Sequence, residues 1–121
     1  MSALAVFVFG GLGALARYGT QFLVRVEPGR FPWATFATNV VGCVLAGALC
    51  TALAFREETS PLLRNALMIG FIGGFTTYSA FAWETWELWQ SGRLSLGVLY
   101  VLATFAGCGA GVALGAFAAR T

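Results

Sequence analysis

The stretch Gly73-Gly74-Phe75-Thr76-Thr77-Tyr78-Ser79-Ala80-Phe81-Ala82-Trp83-Glu84 sets a glycine pair and a cluster of hydroxyls inside a run otherwise apolar enough to cross a bilayer. In lipid, an unwound backbone is tolerated only where it is buried in protein or lines a watery cavity, because each unsatisfied amide or carbonyl costs several kcal/mol. A membrane helix interrupted in this way points to an ion or substrate site.

The rest of the chain supplies the membrane setting. Of 121 residues, 59% are hydrophobic and 10% are charged, and the mean hydropathy is +0.80. Soluble domains are not built this way. Apolar segments cover residues 3–24, 33–55, 62–83 and 94–118, and each reaches the length of about 20 residues that a spanning helix needs. The expectation is an all-α membrane protein, a single four-helix transmembrane domain over residues 1–121 with its third helix broken. No basic side chain precedes the first apolar run, which is longer than a signal core, so it reads as a retained helix rather than a cleaved peptide.

The joints at 25–32, 56–61 and 90–93 are short, which makes alternate helices antiparallel. Arg30, Phe31, Pro32 and Trp33 read as an interfacial re-entry, with proline near a helix start and tryptophan at headgroup depth. Trp83, Trp86 and Trp89 mark an aromatic belt where the third helix ends, with Glu84 and Glu87 facing water.

Orientation follows basic residues near helix ends, and the chain has no lysine. With the N-terminus inside, Arg56, Arg64 and Arg120 fall on one side and Arg25, Arg30 and Arg93 on the other, three against three. Arg17 lies within the first apolar segment and is not counted. The tie leaves either an undetermined topology or insertion in both orientations. Insertion both ways lets the chain pair with its own inverted copy, and an antiparallel homodimer is the expectation. Gly107, Gly111 and Gly115, at four-residue spacing, form a smooth helix face for close packing, and Gly42 with Ala46 offers a similar one.

Polar residues inside the membrane face a cavity or a partner helix. Asn39 lies about two turns into the second segment with Thr35 one turn earlier on the same face. Its carboxamide suits either an anion ligand or an interhelical hydrogen bond. Arg17 suits anion attraction in a vestibule, pairing with a glutamate, or snorkelling to the interface. Tyr100, Thr104 and Cys108 form a weakly polar stripe, and Tyr78 shares a face with Phe81, whose ring edge can meet an anion.

Absences narrow the chemistry. Without histidine, lysine or aspartate the chain lacks the common general base, the usual proton relays and most transition-metal ligands. The five carboxylates, Glu27, Glu57, Glu58, Glu84 and Glu87, fall at or beyond segment ends, leaving no acid at mid-membrane to couple protons. Cys43 and Cys50 share one face and Cys108 stands elsewhere, so the thiols read as small hydrophobes. Catalysis is not expected.

On these residues the chain resembles the Fluc, or CrcB, family of fluoride channels. The resemblance spans the whole chain and rests on Gly10, Gly11, Gly13, Ala14, Arg17 and Tyr18, on Thr35 through Asn39 to Gly42, and most specifically on Gly70 to Glu84. It implies a dual-topology homodimer of inverted subunits with two pores, in the cell inner (plasma) membrane, exporting fluoride passively from the cytoplasm. It implies a structural sodium ion on the dimer axis, held by the carbonyls of Gly73 and Thr76. It implies a fluoride path along Asn39, Tyr78, Phe81, Ser79, Tyr100 and Thr104, with Arg17 near a vestibule. Tyr78 stands where the family usually has phenylalanine, and Ala80 where threonine is common.

Fluoride is small and strongly hydrated, so its entry requires close donors and its exit requires that no single site hold it firmly. Asn39, Ser79 and Thr104 with aromatic edges offer many modest contacts. The expected partners are fluoride, lipid and an inverted second copy, with no nucleic acid. The rivals are a small multidrug-type transporter, which needs a membrane-embedded glutamate, and a non-conducting structural subunit.

Overall fold

Helix starts and stops in this chain are set by local chemistry at each end. The computed structural model describes residues 1–24, 27–54 and 59–120. Arg25, Arg56, Glu57 and Glu58 lie outside the described residues, and with them two of the six arginines whose three-against-three tie suggests an inverted pair. Four helices are long and apolar enough to cross a membrane, Ser2–Leu23, Trp33–Ala54, Pro61–Gln90 and Leu94–Ala118. No strand occurs among the described residues.

Three of these spans are single elements: α1 (Ser2–Leu23), α2 (Trp33–Ala54) and α6 (Leu94–Ala118). The third is composite, running through α3 (Pro61–Asn65), a π-helical turn over Ala66–Ile72, α4 (Gly73–Phe75) and α5 (Tyr78–Gln90). Ser60 caps α3 by accepting the Leu63 N–H at 3.3 Å, with Pro61 in the first turn where its missing N–H is harmless. Thr77 caps α5 in the same manner. At the far end of α5, Arg93 N donates to the Leu88 carbonyl at 2.8 Å and Gly92 N to the Trp89 carbonyl at 3.0 Å, a Schellman turn. Gly92 adopts φ 76°, which only glycine reaches cheaply, and this lets α6 start at once.

Lipid gives helices no hydrophobic reason to associate, so packing depends on close backbone approach through small residues. A Cβ added to Gly115 would come 1.9 Å from the Val44 carbonyl, and one on Gly47 would come 2.2 Å from the Val112 carbonyl, so α2 and α6 touch backbone to backbone. A Cβ on Gly13 would come 2.2 Å from the Phe71 carbonyl and one on Gly74 2.3 Å from the Gly10 carbonyl, so α1 and the third span are packed equally closely. The α6 stripe therefore packs within the subunit. Its partner on α2 includes Gly47, while the Gly42 position faces the third span, where a Cβ on Gly42 would come 2.2 Å from Thr76 Cγ2. Large apolar side chains such as Phe7, Leu15, Phe22, Phe105 and Phe117 point outward.

Past the apolar segment 62–83, α5 continues through Trp86 and Trp89 to Gln90, beside the expected joint at 90–93, and carries Glu84 and Glu87 on its helical surface. One sequence expectation is overturned here. Glu84 is half-buried rather than turned to water.

Candidate functional site

Helical geometry stops at Phe75 and resumes at Tyr78, while Thr76 (φ −79°, ψ 160°) and Thr77 (φ −151°, ψ 120°) between them are extended. In an uninterrupted helix the Thr77 N–H would go to the Gly73 carbonyl. Here it goes to Asn39 Oδ1 at 2.8 Å, and Asn39 Nδ2 returns a bond to the Thr77 carbonyl at 2.9 Å. The carboxamide thus pairs with one residue of backbone from both sides, and both partners are buried. An amide nitrogen has two hydrogens, so this pairing engages only one of the Asn39 donors.

The same exchange recurs three residues on. The Ala80 N–H, which helix geometry would send to Thr76, is accepted by Thr77 Oγ1 at 3.2 Å. The Thr76 carbonyl instead accepts from Arg17 Nη1 at 3.3 Å. Arg17 therefore turns toward the third span, where a carbonyl released from its helix offers a partner within reach. Thr76 itself is tied back to the Ile72 carbonyl by its N–H at 2.9 Å and its hydroxyl at 2.8 Å.

These bonds test whether Gly73 and Thr76 suit a hard cation. Both carbonyls have lost the N–H that a continuous helix would supply, and carbonyl oxygen is a suitable ligand for sodium. Gly73 is exposed, and an added Cβ there would meet only the Met68 carbonyl at 3.8 Å, so its side of the helix is open. The donor set fits.

A second cluster joins three spans. Thr35 Oγ1 donates to Glu84 Oε1 at 2.6 Å, and the Tyr100 hydroxyl donates to Glu84 Oε2 at 2.7 Å. Glu84 thus lies inside the third span but near its end, six residues before Gln90. Tyr100 is 0% exposed, and its ring centroid lies 5.1 Å from that of Phe81, which in turn lies 5.8 Å from that of Tyr78. Tyr78 is 81% exposed, so this row of rings runs from the core to the surface. Thr104 Oγ1 is buried with no hydrogen-bond partner, one turn from Tyr100 on α6.

A cavity of about 500 Å³ collects Arg17, Thr20, Thr35, Thr38, Thr77 and Ser79 along its walls. Ser79 Oγ lies 3.3 Å from Thr77 Oγ1, and Thr38 Oγ1 lies 2.9 Å from Thr20 Oγ1. Of the residues singled out from sequence, Arg17 and Ser79 share this cavity, and Tyr78, Phe81 and Tyr100 form the ring row. Asn39 sits behind Thr77, and Thr104, one turn from Tyr100, is not among the residues lining the cavity.

The family model for CrcB-like protein, Camphor Resistance (CrcB), matches residues 4–116. The chain belongs to the CrcB family. A CrcB-family relative from Geobacter sulfurreducens, named fluoride-specific ion channel FluC, is 44% identical over 118 residues, covering 97% of this chain and 95% of its own. The fluoride-specific ion channel FluC 2 of Listeria monocytogenes is 45% identical over 107 residues, with 88% and 81% covered. The FluC of Solibacter usitatus is 41% identical over 122 residues and covers 99% of both chains. With its four membrane-length helices, this CrcB protein is a multi-pass membrane protein.

Sequence reasoning missed Glu84 as a site residue, along with Thr38 and Thr77. Glu84 was visible as a carboxyl beside an apolar run, and Thr35 and Tyr100 as hydroxyls within two others. Only the packing of α2, α5 and α6 puts the three together.

Proposed function

We propose that this chain is a fluoride-selective passive ion channel, not an enzyme, that exports fluoride from the cytoplasm across the inner membrane. The observation that carries the reading is the cavity of neutral hydroxyl donors beside Asn39, in a chain that aligns end to end with proteins named fluoride-specific.

A fluoride ion leaving water needs donors that replace its hydration without trapping it. Neutral hydroxyls of Thr35, Thr38 and Ser79 line the cavity wall, with the Thr38 hydrogen now on the Ala34 carbonyl, and Arg17 adds a charge that raises the local anion concentration. Asn39 keeps a second N–H for the ion while its other groups hold Thr77. Thr35 and Tyr100 now spend their hydroxyls on Glu84, and an anion reaching them competes with that carboxyl for the same hydrogens. Phe81 and Tyr78 supply ring edges along the row, and Thr104 a hydroxyl with no internal partner.

The reading includes a functionally broken third helix and an inverted homodimer with two pores. Support for the break comes from the paired bonds between Asn39 and Thr77. Support for the dimer comes from the exposed face of α1, with Phe7, Leu12 and Leu15, and from the open side of Gly73. Gly73 and Thr76 of both subunits would hold sodium through carbonyl oxygens. When bound, sodium supplies a positive charge that gathers these carbonyl dipoles on the dimer axis.

The half-buried Glu84 removes the main argument against a proton-coupled multidrug-type transporter. Both of its oxygens are occupied by hydroxyl donors, however, and the relatives bear channel names. Expression in a fluoride-sensitive bacterium tests the channel reading. Lowered internal fluoride and restored growth are expected, and unchanged fluoride content with the protein in the membrane contradicts it.

A further inference from the structure

Two partners converge on the Thr76 carbonyl. From the cavity wall, Arg17 Nη1 donates to it at 3.3 Å. The same oxygen is, with that of Gly73, one of the two read above as sodium ligands. A carbonyl oxygen has two lone pairs, so it can hold both partners at once. Both are positive, however, and on one shared atom they oppose each other.

The charge of Arg17 is not answered from within the chain. Among the described residues it has no carboxylate at ion-pair distance, and the bond to Thr76 is its side chain's one hydrogen bond. A guanidinium has five N–H donors, so most of this cation is left for whatever enters the cavity. Thr76 cannot swing aside to relieve the conflict. Its N–H and hydroxyl both go to the Ile72 carbonyl, at 2.9 and 2.8 Å. Its Cγ2 takes the room left by Gly42, where an added Cβ would come within 2.2 Å. The following residue, Thr77, is held on both sides by Asn39. The oxygen is a fixed point, and charge rather than movement passes through it.

We propose that Arg17 couples the polar cavity to the cation site through the Thr76 carbonyl, so that an anion on Arg17 tightens sodium and sodium tightens the anion. The proposal rests on the reading of Gly73 and Thr76 as sodium ligands. With the cavity free of anion, the guanidinium draws on the shared oxygen and repels a second cation. An anion on the remaining N–H groups offsets that charge, and the repulsion falls. Linkage makes the effect equal in both directions. Couplings between sites are typically about 5- to 150-fold, and about tenfold is expected for one carried by a single shared oxygen. The cation site is then strongest when fluoride is abundant.

The test follows the melting temperature of the purified full chain in detergent while sodium replaces a large organic cation. The titration is run without fluoride and again with saturating fluoride, supplied as the salt of that organic cation. In wild type the sodium midpoint should fall about tenfold when fluoride is present. Arg17→Gln removes the charge, so its midpoint should ignore fluoride and lie below the fluoride-free wild-type value. Arg17→Lys keeps a charge and should keep part of the fluoride effect. Arg17→Met repeats the measurement should glutamine donate to the carbonyl or fail to fold, and the melting curve itself reports folding. A wild-type midpoint that responds to sodium but ignores fluoride overturns the coupling alone. A fluoride-free midpoint in folded Arg17→Gln and Arg17→Met at or above that of wild type gives Arg17 a merely structural role and also overturns it. Melting indifferent to sodium in every sample overturns the carbonyl ligands and the coupling with them, so failure of the sodium reading is told apart from failure of the coupling.

Discussion

Replacing Asn39 with aspartate separates its two roles at the Thr76–Thr77 link. The variant keeps an acceptor for the Thr77 N–H, now 2.8 Å from Oδ1, but sets an oxygen where Nδ2 stood, 2.9 Å from the Thr77 carbonyl. One hydrogen bond is lost, worth about 0.6 kcal/mol on average between membrane helices. The buried carbonyl is also left unsatisfied and facing another acceptor, which costs about 1–3 kcal/mol. Together these weaken the link by about 2–4 kcal/mol, or roughly 30- to 700-fold in its equilibrium. The new negative charge also stands behind the cavity wall and repels an approaching anion. Thermal unfolding in detergent and fluoride efflux from liposomes read the two effects. The melting temperature should fall by several degrees and efflux should be lost. Wild-type melting together with wild-type efflux in Asn39→Asp would refute both the pairing and the pore role.

Other perturbations probe the remaining parts. Gly115→Ala drives a Cβ against the Val44 carbonyl and should destabilise the subunit by about 1–3 kcal/mol, whereas Gly109→Ala, with nothing within 4 Å, should melt like wild type; equal melting of the two would refute the close α2/α6 contact. Glu84→Gln leaves an oxygen for one hydroxyl and presents an NH2 group to the other, a loss of about 1 kcal/mol measurable by unfolding, and its efflux should remain independent of an imposed pH gradient. Gradient-driven efflux in wild type that disappears in Glu84→Gln would favour proton coupling. Exchanging sodium for a large organic cation should lower dimer stability, with each tenfold of sodium above its dissociation constant restoring about 1.4 kcal/mol. A melting temperature indifferent to sodium would contradict the carbonyl site.

The spans were legible because apolar length is a local property: the expected fourth segment, 94–118, coincides with α6 (Leu94–Ala118). The environment of Glu84 was misjudged, since beside Trp83 it looks interfacial in one dimension. The carboxyl of Glu84 is accommodated only because hydroxyls from α2 and α6 reach it, and no spacing along the chain encodes that meeting. Glycine stripes announced close packing but not its partners, so neither the meeting of Gly47 with α6 nor that of Gly42 with Thr76 could be read from spacing. Arg17 was ambiguous for the same reason: the carbonyl it meets belongs to a residue 59 positions away. Asn39 stood out in sequence because a carboxamide in an apolar helix needs a partner. The sequence left open whether that partner was an ion or a backbone, and the bonds to Thr77 use only part of its capacity.

The central claim is selective fluoride conduction, and anion efflux from liposomes holding the purified protein tests it most directly. Fluoride and chloride are followed by ion electrodes in the same vesicles after the membrane potential is released. Rapid fluoride loss with chloride retained is the predicted result. Equal loss of both anions, or retention of both by correctly folded protein, would contradict it.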